Sequence, residues 1–180
     1  MCAGMVFLLA CNNEKKESKE PAAPVKKEES KANSKAENIV SFNVNNRAIL
    51  SYGLNISLFD FGNKVGTSLN LISGTPEQTN TINLNINGYK PGKYRLEYSV
   101  KSTYTPGVAY GTYTLDNSTD QANKFTFTSG QFTVVSIDTT VGLLNASFYG
   151  TAKNTKGDSV IIRDGNVING KMNPGVNKFK

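Results

Sequence analysis

From Ile39 onward, apolar side chains fall at every second position, the period of a strand that buries one face. Val40, Phe42 and Val44 alternate with polar residues up to Asn45-Asn46, a pair suited to the positive φ of a two-residue hairpin. Leu50, Tyr52, Leu54, Ile56 and Leu58 predict one long strand with a single inward face, closed by Gly62-Asn63. Leu69 and Leu71 mark the next, ended by Ser73-Gly74-Thr75-Pro76, and Ile82, Leu84 and Ile86 alternate with Asn before Asn87-Gly88. Pro91-Gly92 sets a turn ahead of Tyr94, Leu96, Tyr98 and Val100. Pro106-Gly107 precedes a strand carrying Tyr110 and Tyr113, and residues 116–123 read as a polar loop. Ser129-Gly130 reads as a turn between Phe125 and Phe127 on one side and Phe132 and Val134 on the other. Leu144, Ala146, Phe148 and Gly150 share one face; Asn154-Thr155-Lys156-Gly157 leads to Val160 and Ile162, and Asp164-Gly165 to Val167-Ile168.

Many short strands between turn signals, with no helical period, predict an all-β domain over residues 39–173. One wet and one buried face per strand points to antiparallel pairing, in a β-sandwich or an open barrel. The Asn-rich positions between the apolar ones suit a solvated sheet face. Residues 174–180 read as a flexible tail.

The chain before Ile39 obeys a different rule. Residues 11–38 are mostly Lys, Glu, Ser, Ala, Asn and Pro, with Val25 the sole large apolar side chain after Cys11. Such a segment buries too little surface to offset the entropy of ordering it. Pro21 and Pro24 interrupt any long helix started by Glu–Lys pairs. It is expected to be a disordered stalk.

Composition narrows the chemistry. The net charge of +6 looks like a nucleic-acid signal until the charges are located. Lys and Glu nearly balance in the stalk, and the excess in the domain is spread over single residues such as Lys64, Lys90, Lys93, Arg95, Lys101, Lys124 and Lys153. No basic cluster interleaved with aromatics appears, so nucleic acid is not an expected partner. The chain has no His, and its two Cys are Cys2 and Cys11. His-based acid–base catalysis, Ser-His-Asp and Cys-His triads and imidazole or thiolate zinc sites are therefore absent from the domain. No disulfide can staple it either. No cofactor is expected.

The apolar run Gly4-Met5-Val6-Phe7-Leu8-Leu9-Ala10-Cys11 is too short to span a bilayer but has the length of a signal-peptide core. Leu8-Leu9-Ala10-Cys11 resembles the bacterial lipobox, which implies a diacylglycerol on the Cys11 thiol and removal of residues 1–10. Such signals open on Lys or Arg, and residues 1–10 hold none, which points to a missing basic segment or a defective signal. With two or three acyl chains the anchor would be stable, since one alone is marginal. The expected location is the cell envelope, at the outer membrane.

Several constellations merit weighing. Glycosidases need two carboxylates facing across a cleft. Asp60, Glu77, Glu97, Asp116, Asp120, Asp138, Asp158 and Asp164 offer no marked pair, and most sit beside turn formers. Asp116-Asn117-Ser118-Thr119-Asp120 spaces oxygens as a calcium loop begins, but Gln121 stands where Gly is needed and Phe127 where Glu closes the loop. A polar loop is the simpler account, and no metal is assigned. Tyr104, Tyr110 and Tyr113 flank Pro106-Gly107 and could present an aromatic platform to a sugar or peptide. Asp138-Thr139-Thr140 and Asp158-Ser159-Val160 resemble the Asp-Ser/Thr-apolar acceptor of bacterial O-glycosylation, which implies Thr139 and Ser159 as acceptors.

Taken in order, Phe42-Asn43-Val44-Asn45-Asn46, Ile82-Asn83-Leu84-Asn85-Ile86-Asn87-Gly88-Tyr89, Pro91-Gly92-Lys93-Tyr94, Ser129-Gly130-Gln131-Phe132, Asn145-Ala146-Ser147-Phe148 and Val160-Ile161-Ile162-Arg163-Asp164-Gly165 resemble an uncharacterised family of Bacteroidetes-type lipoproteins. The likeness covers nearly all of the chain after the stalk. Asn145-Ala146 departs from the Ser-Gly pair usual there. The resemblance implies an exported, lipid-anchored β-domain and no catalytic site. The expectation is a non-enzymatic binding or structural module that meets a protein or glycan; a glycan-binding accessory of a surface uptake system and a secreted hydrolase are the alternatives.

Overall fold

The computed structural model describes residues 38–60, 65–74, 78–98 and 104–173. Cys11, the signal peptide, the stalk up to residue 37, the tail from residue 174, Gly62-Asn63 and Val100 lie outside the described residues. Nine strands follow one another: β1 (Ile39–Val44), β2 (Arg47–Asp60), β3 (Val65–Gly74), β4 (Thr79–Ile86), β5 (Gly92–Leu96), β6 (Val108–Thr114), β7 (Lys124–Asp138), β8 (Leu143–Lys153) and β9 (Ser159–Lys171). A 3-10 turn at Gln121–Asn123 is the one helical element among the described residues. The domain is all-β, as the alternation predicts.

Hydrogen bonding links the strands in the order β1-β2-β3-β4-β6-β5-β7-β8-β9, and β9 returns to β1 to close a barrel. The sheet is mixed, which corrects the purely antiparallel expectation. Short β5 runs parallel to the start of β6 through Arg95↔Val108 and Leu96↔Ala109, and antiparallel to β7 through Tyr94↔Phe132. Beyond it β6 meets β7 directly at Thr112↔Thr126. β5 thus fills a gap that opens between two diverging strands. Its order in the ring is a non-local choice that alternation does not encode.

The hairpin at Asn45-Asn46 forms as predicted. Both residues have positive φ, 48° and 67°, and Val44↔Arg47 closes the ladder beneath them. This geometry matches the twist of the flanking strands, and Asn tolerates it better than a β-branched residue.

Three long strands reverse which parity of residue faces inward. In β2, Ser51 and Ile56 are both buried although five positions apart; the register shifts between Ser51 and Gly53. Leu50 and Tyr52, expected inside, stand 69% and 61% exposed, while Leu54, Ile56 and Leu58 face the core. The buried Ser51 hydroxyl lies 2.8 Å from the Gly53 carbonyl and 2.5 Å from that of Ile72, satisfying the distorted backbone. In β7, Phe127 and Phe132 are likewise buried five apart, with a register shift between Phe127 and Ser129. The expected turn at Ser129-Gly130 is continuous strand, paired with Thr151 and Gly150 just past a bulge at Thr128, inside one 15-residue strand. In β9, Ile162 and Val167 repeat the pattern, and Asp164-Gly165 is a bulge rather than a turn. Each bulge inserts one residue, bends the strand and increases its twist, which is how a single sheet curls into closure.

The interior is solid. Phe127, Phe132, Phe148, Leu69, Leu84, Ile86, Leu96 and Ile162 are among the residues most completely removed from solvent. The Phe148 ring lies 6.1 Å from Phe42 and 6.3 Å from Phe132, centroid to centroid, so three strands meet through aromatic contacts. Part of the outer face is amide and hydroxyl: Asn55↔Asn70, Asn70↔Asn83 and Asn83↔Thr112 form a transverse polar row, in which Asn70 Nδ2 donates to Asn83 Oδ1. Leu50, Val135, Val141, Ile161 and Ile168 are apolar residues exposed elsewhere on the surface. Phe148→Ala is expected to remove about 3–5 kcal/mol of stability, read as a lowered urea midpoint with the slope retained; a midpoint shift equal to that of an exposed-site control such as Leu50→Ala would contradict the central role given to this ring.

Candidate functional site

Core side chains from every strand pack the barrel interior, so the outer wall and the loops are the surfaces open to a ligand. The wall of β7, β8 and β9 is shaped by the β9 bulge. Phe148 pairs with Gly165 and Gly150 with Ile162, so Tyr149 alone stands opposite two residues, Arg163 and Asp164. Alternation turns the Phe148 ring inward and the Tyr149 ring outward, where the residue is 52% exposed.

Two open depressions flank this tyrosine, and both are lined by Tyr149 and Arg163. One adds Ser147, Asp164 and Asn166; the other adds Ser129, Thr151 and Ile161, an apolar residue 41% exposed. Glycines keep the backbone of the wall close-packed. A Cβ on Gly165 would come within 2.6 Å of the Phe148 ring, and one on Gly130 within 2.2 Å of the Tyr149 carbonyl oxygen.

Asp164 is held in an uncommon conformation, φ 53°, of the sort that persists only where surroundings impose it. Asn43 Nδ2, from β1, donates to Asp164 Oδ2 at 2.8 Å, and Asn166 Nδ2 donates to the Asp164 carbonyl at 2.9 Å. The carboxylate is therefore oriented from a neighbouring strand. At the other end of the wall, the backbone N–H of Ile161 donates to Asn45 Oδ1 and its carbonyl accepts from the Asn45 N–H, both at 2.9 Å. Tyr149, Arg163 and Asp164 did not emerge as a site from the sequence. The readable signal was the five-residue step between Ile162 and Val167, which a continuous strand must absorb in a bulge.

The three tyrosines proposed as a platform are not brought together. Tyr113 is 3% exposed, with its ring 6.3 Å from Phe125 in the core. Tyr110, three residues earlier on β6, must face the opposite way and lines an outer depression with Tyr98, Asn83, Asn85 and Lys124. Tyr104 donates its hydroxyl to the Val65 carbonyl at 2.8 Å.

Several of the domain's carboxylates act in turns. Asp120 Oδ1 accepts from the Ala122 N–H and so caps the 3-10 turn, while the Asp116 N–H donates to Asn80 Oδ1. Asp138 Oδ1 accepts from the N–H groups of Thr140 and Val141, and Asp158 Oδ2 accepts from Asn154 Nδ2. Glu97 pairs with Arg95 on the surface. The two expected acceptor hydroxyls differ in access. Ser159 is exposed at the start of β9, and Thr139 is half-buried in the turn after β7.

Compared with known proteins, the chain matches no family model, no curated protein and no solved structure.

Burial holds the Tyr113 hydroxyl above the ordinary tyrosine range, reinforced by the charge of Asp116 and opposed by Arg47. Burial also raises Tyr94. A raised folded-state pKa means that the folded form favours the neutral phenol. The associated stability is complete below the unfolded value of about 10 and is lost as pH rises through the higher folded value. Urea midpoints are thus expected to fall above about pH 10, and Tyr113→Phe to fall less steeply; parallel profiles for the two proteins would contradict this.

Proposed function

We propose that this protein is a cell-envelope lipoprotein in which a lipid on Cys11 holds a non-enzymatic β-barrel module to the membrane through a stalk. The observation that carries the reading is the sequence Leu8-Leu9-Ala10-Cys11 followed directly by a charged, core-less segment and then by a complete folded domain. A thiol beside a small residue suits lipid transfer and cleavage, and a polar tether gives reach. The solid core supports a role in binding or scaffolding, since it leaves the outer wall and the loops as the surface a partner meets. The absence of His and the engagement of Asp120, Asp138 and Asp158 in turns support a module without catalysis. The wall at Tyr149 is its recognition surface.

Metabolic labelling with radioactive palmitate in the native host tests the anchor. The wild-type chain is expected to incorporate label and to partition with membranes, at the outer membrane on fractionation. Cys11→Ala is expected to lose the label and leave the membrane fraction, and Cys2→Ala to behave as wild type. An unlabelled wild-type chain, or a Cys11→Ala chain that keeps its label, would refute the proposal.

A further inference from the structure

We infer that the wall around Tyr149 binds a neutral oligosaccharide, with the Tyr149 ring against the C–H face of one sugar and Asp164, Arg163 and Asn166 taking its hydroxyls. This rests on the reading of the barrel as a binding module and names the ligand class of that surface.

The chemistry of the lining selects among ligands. Arg163 and Asp164 are adjacent and of opposite sign, and both line the same depression. A phosphate, sulfate or polyanion drawn to the guanidinium would meet the carboxylate as well, so charge gives it no advantage. A peptide adding itself as a strand needs a free sheet edge. β7, β8 and β9 offer none along this wall: β8 is bonded to β7 and β9, β9 to β1, and β7 to β5 and β6.

What remains complementary is a ligand with an apolar face, hydroxyl groups around its edge and no net charge. A pyranose has all three. A carboxylate and a guanidinium side by side accept from and donate to vicinal hydroxyls, through charge-assisted hydrogen bonds. The amide and hydroxyl side chains of Asn166, Ser147, Ser129 and Thr151 add neutral partners.

The geometry also bears on ligand length. The two depressions lie on either side of one exposed ring and share Tyr149 and Arg163. A single sugar would occupy one; a chain of two or more units would cross the tyrosine and use both. The site is preorganised, because the bulge is pinned by Asn43 and Asn166 and close-packed at Gly165, so little ordering is needed on binding.

The test is isothermal titration of the full chain in detergent with cellohexaose, mannohexaose and xylohexaose, and with a heparin hexasaccharide as the anionic contrast. At least one neutral hexasaccharide is expected to bind more tightly than about 1 mM, and more tightly than the heparin fragment. Tyr149→Ala and Asp164→Asn should each weaken it by about tenfold or more, Tyr149→Phe should retain it, and Tyr110→Ala on the other wall should leave it unchanged. Since Trp is absent, tyrosine fluorescence gives a second readout in the same samples, and thermal melts confirm that the variants are folded. No binding of any neutral hexasaccharide, a preference for heparin, or wild-type affinity in Tyr149→Ala would overturn the inference. Its failure beside an acylated Cys11 leaves the envelope reading standing; a bound hexasaccharide that is also cleaved would overturn the non-enzymatic reading and keep the ligand class.

Discussion

Closure of one continuous sheet around a solid core is the constraint from which the other features follow. A regular strand presents every second residue inward and curves little. Strands of 13 to 15 residues must bend sharply to return to their starting neighbour. The bends lie where one residue is inserted, in β2 near Ser51, in β7 near Ser129 and in β9 near Asp164. At each the inward parity reverses, so Ile56, Phe132 and Val167 reach the core only because a neighbour has been displaced to the outside. Core packing and strand bending are one solution here. A straight β9 with Ile162 buried would turn Val167 toward water.

That coupling carries from the interior to the wall. The bulge that lets Val167 rejoin the core also sets Arg163 and Asp164 opposite a single tyrosine. Gly165, placed against the Phe148 ring, allows the displaced backbone to stay close to its neighbour. Tyr149, Arg163 and Asp164 therefore sit on the wall beside the aromatic contacts of Phe42, Phe132 and Phe148 in the core. The backbone of β8, bonded to β7 and β9, is held on both sides at this wall.

Two stretches of the chain differ in composition. Residues 12–37 carry Lys, Glu, Pro and small residues, with Val25 the one large apolar side chain among them. The barrel concentrates the large apolar residues around one core in a sheet that β9 closes onto β1, and neither Cys lies within it.

How much was legible follows from this. Alternation is a local property, so the all-β class, the Asn45-Asn46 hairpin and the inward faces of β4 and β8 were determined by the amino-acid order alone. The polar part of the exterior was legible for the same reason, as was the opposition of Tyr110 and Tyr113, had the spacing of three been counted. Pairing is not local. Which strand β5 joins, and the return of β9 to β1, depend on contacts between residues far apart in the chain, and only the tertiary structure decides them. The misread turns at Ser129-Gly130 and Asp164-Gly165 have one physical cause. Gly130 and Asp164 adopt the positive φ, 140° and 53°, that many chain reversals also use, so the residue types announce a bend and leave its kind open. The neighbouring strand settles it, by continuing its hydrogen bonds past the irregularity, and in β9 that choice is what assembles the wall at Tyr149.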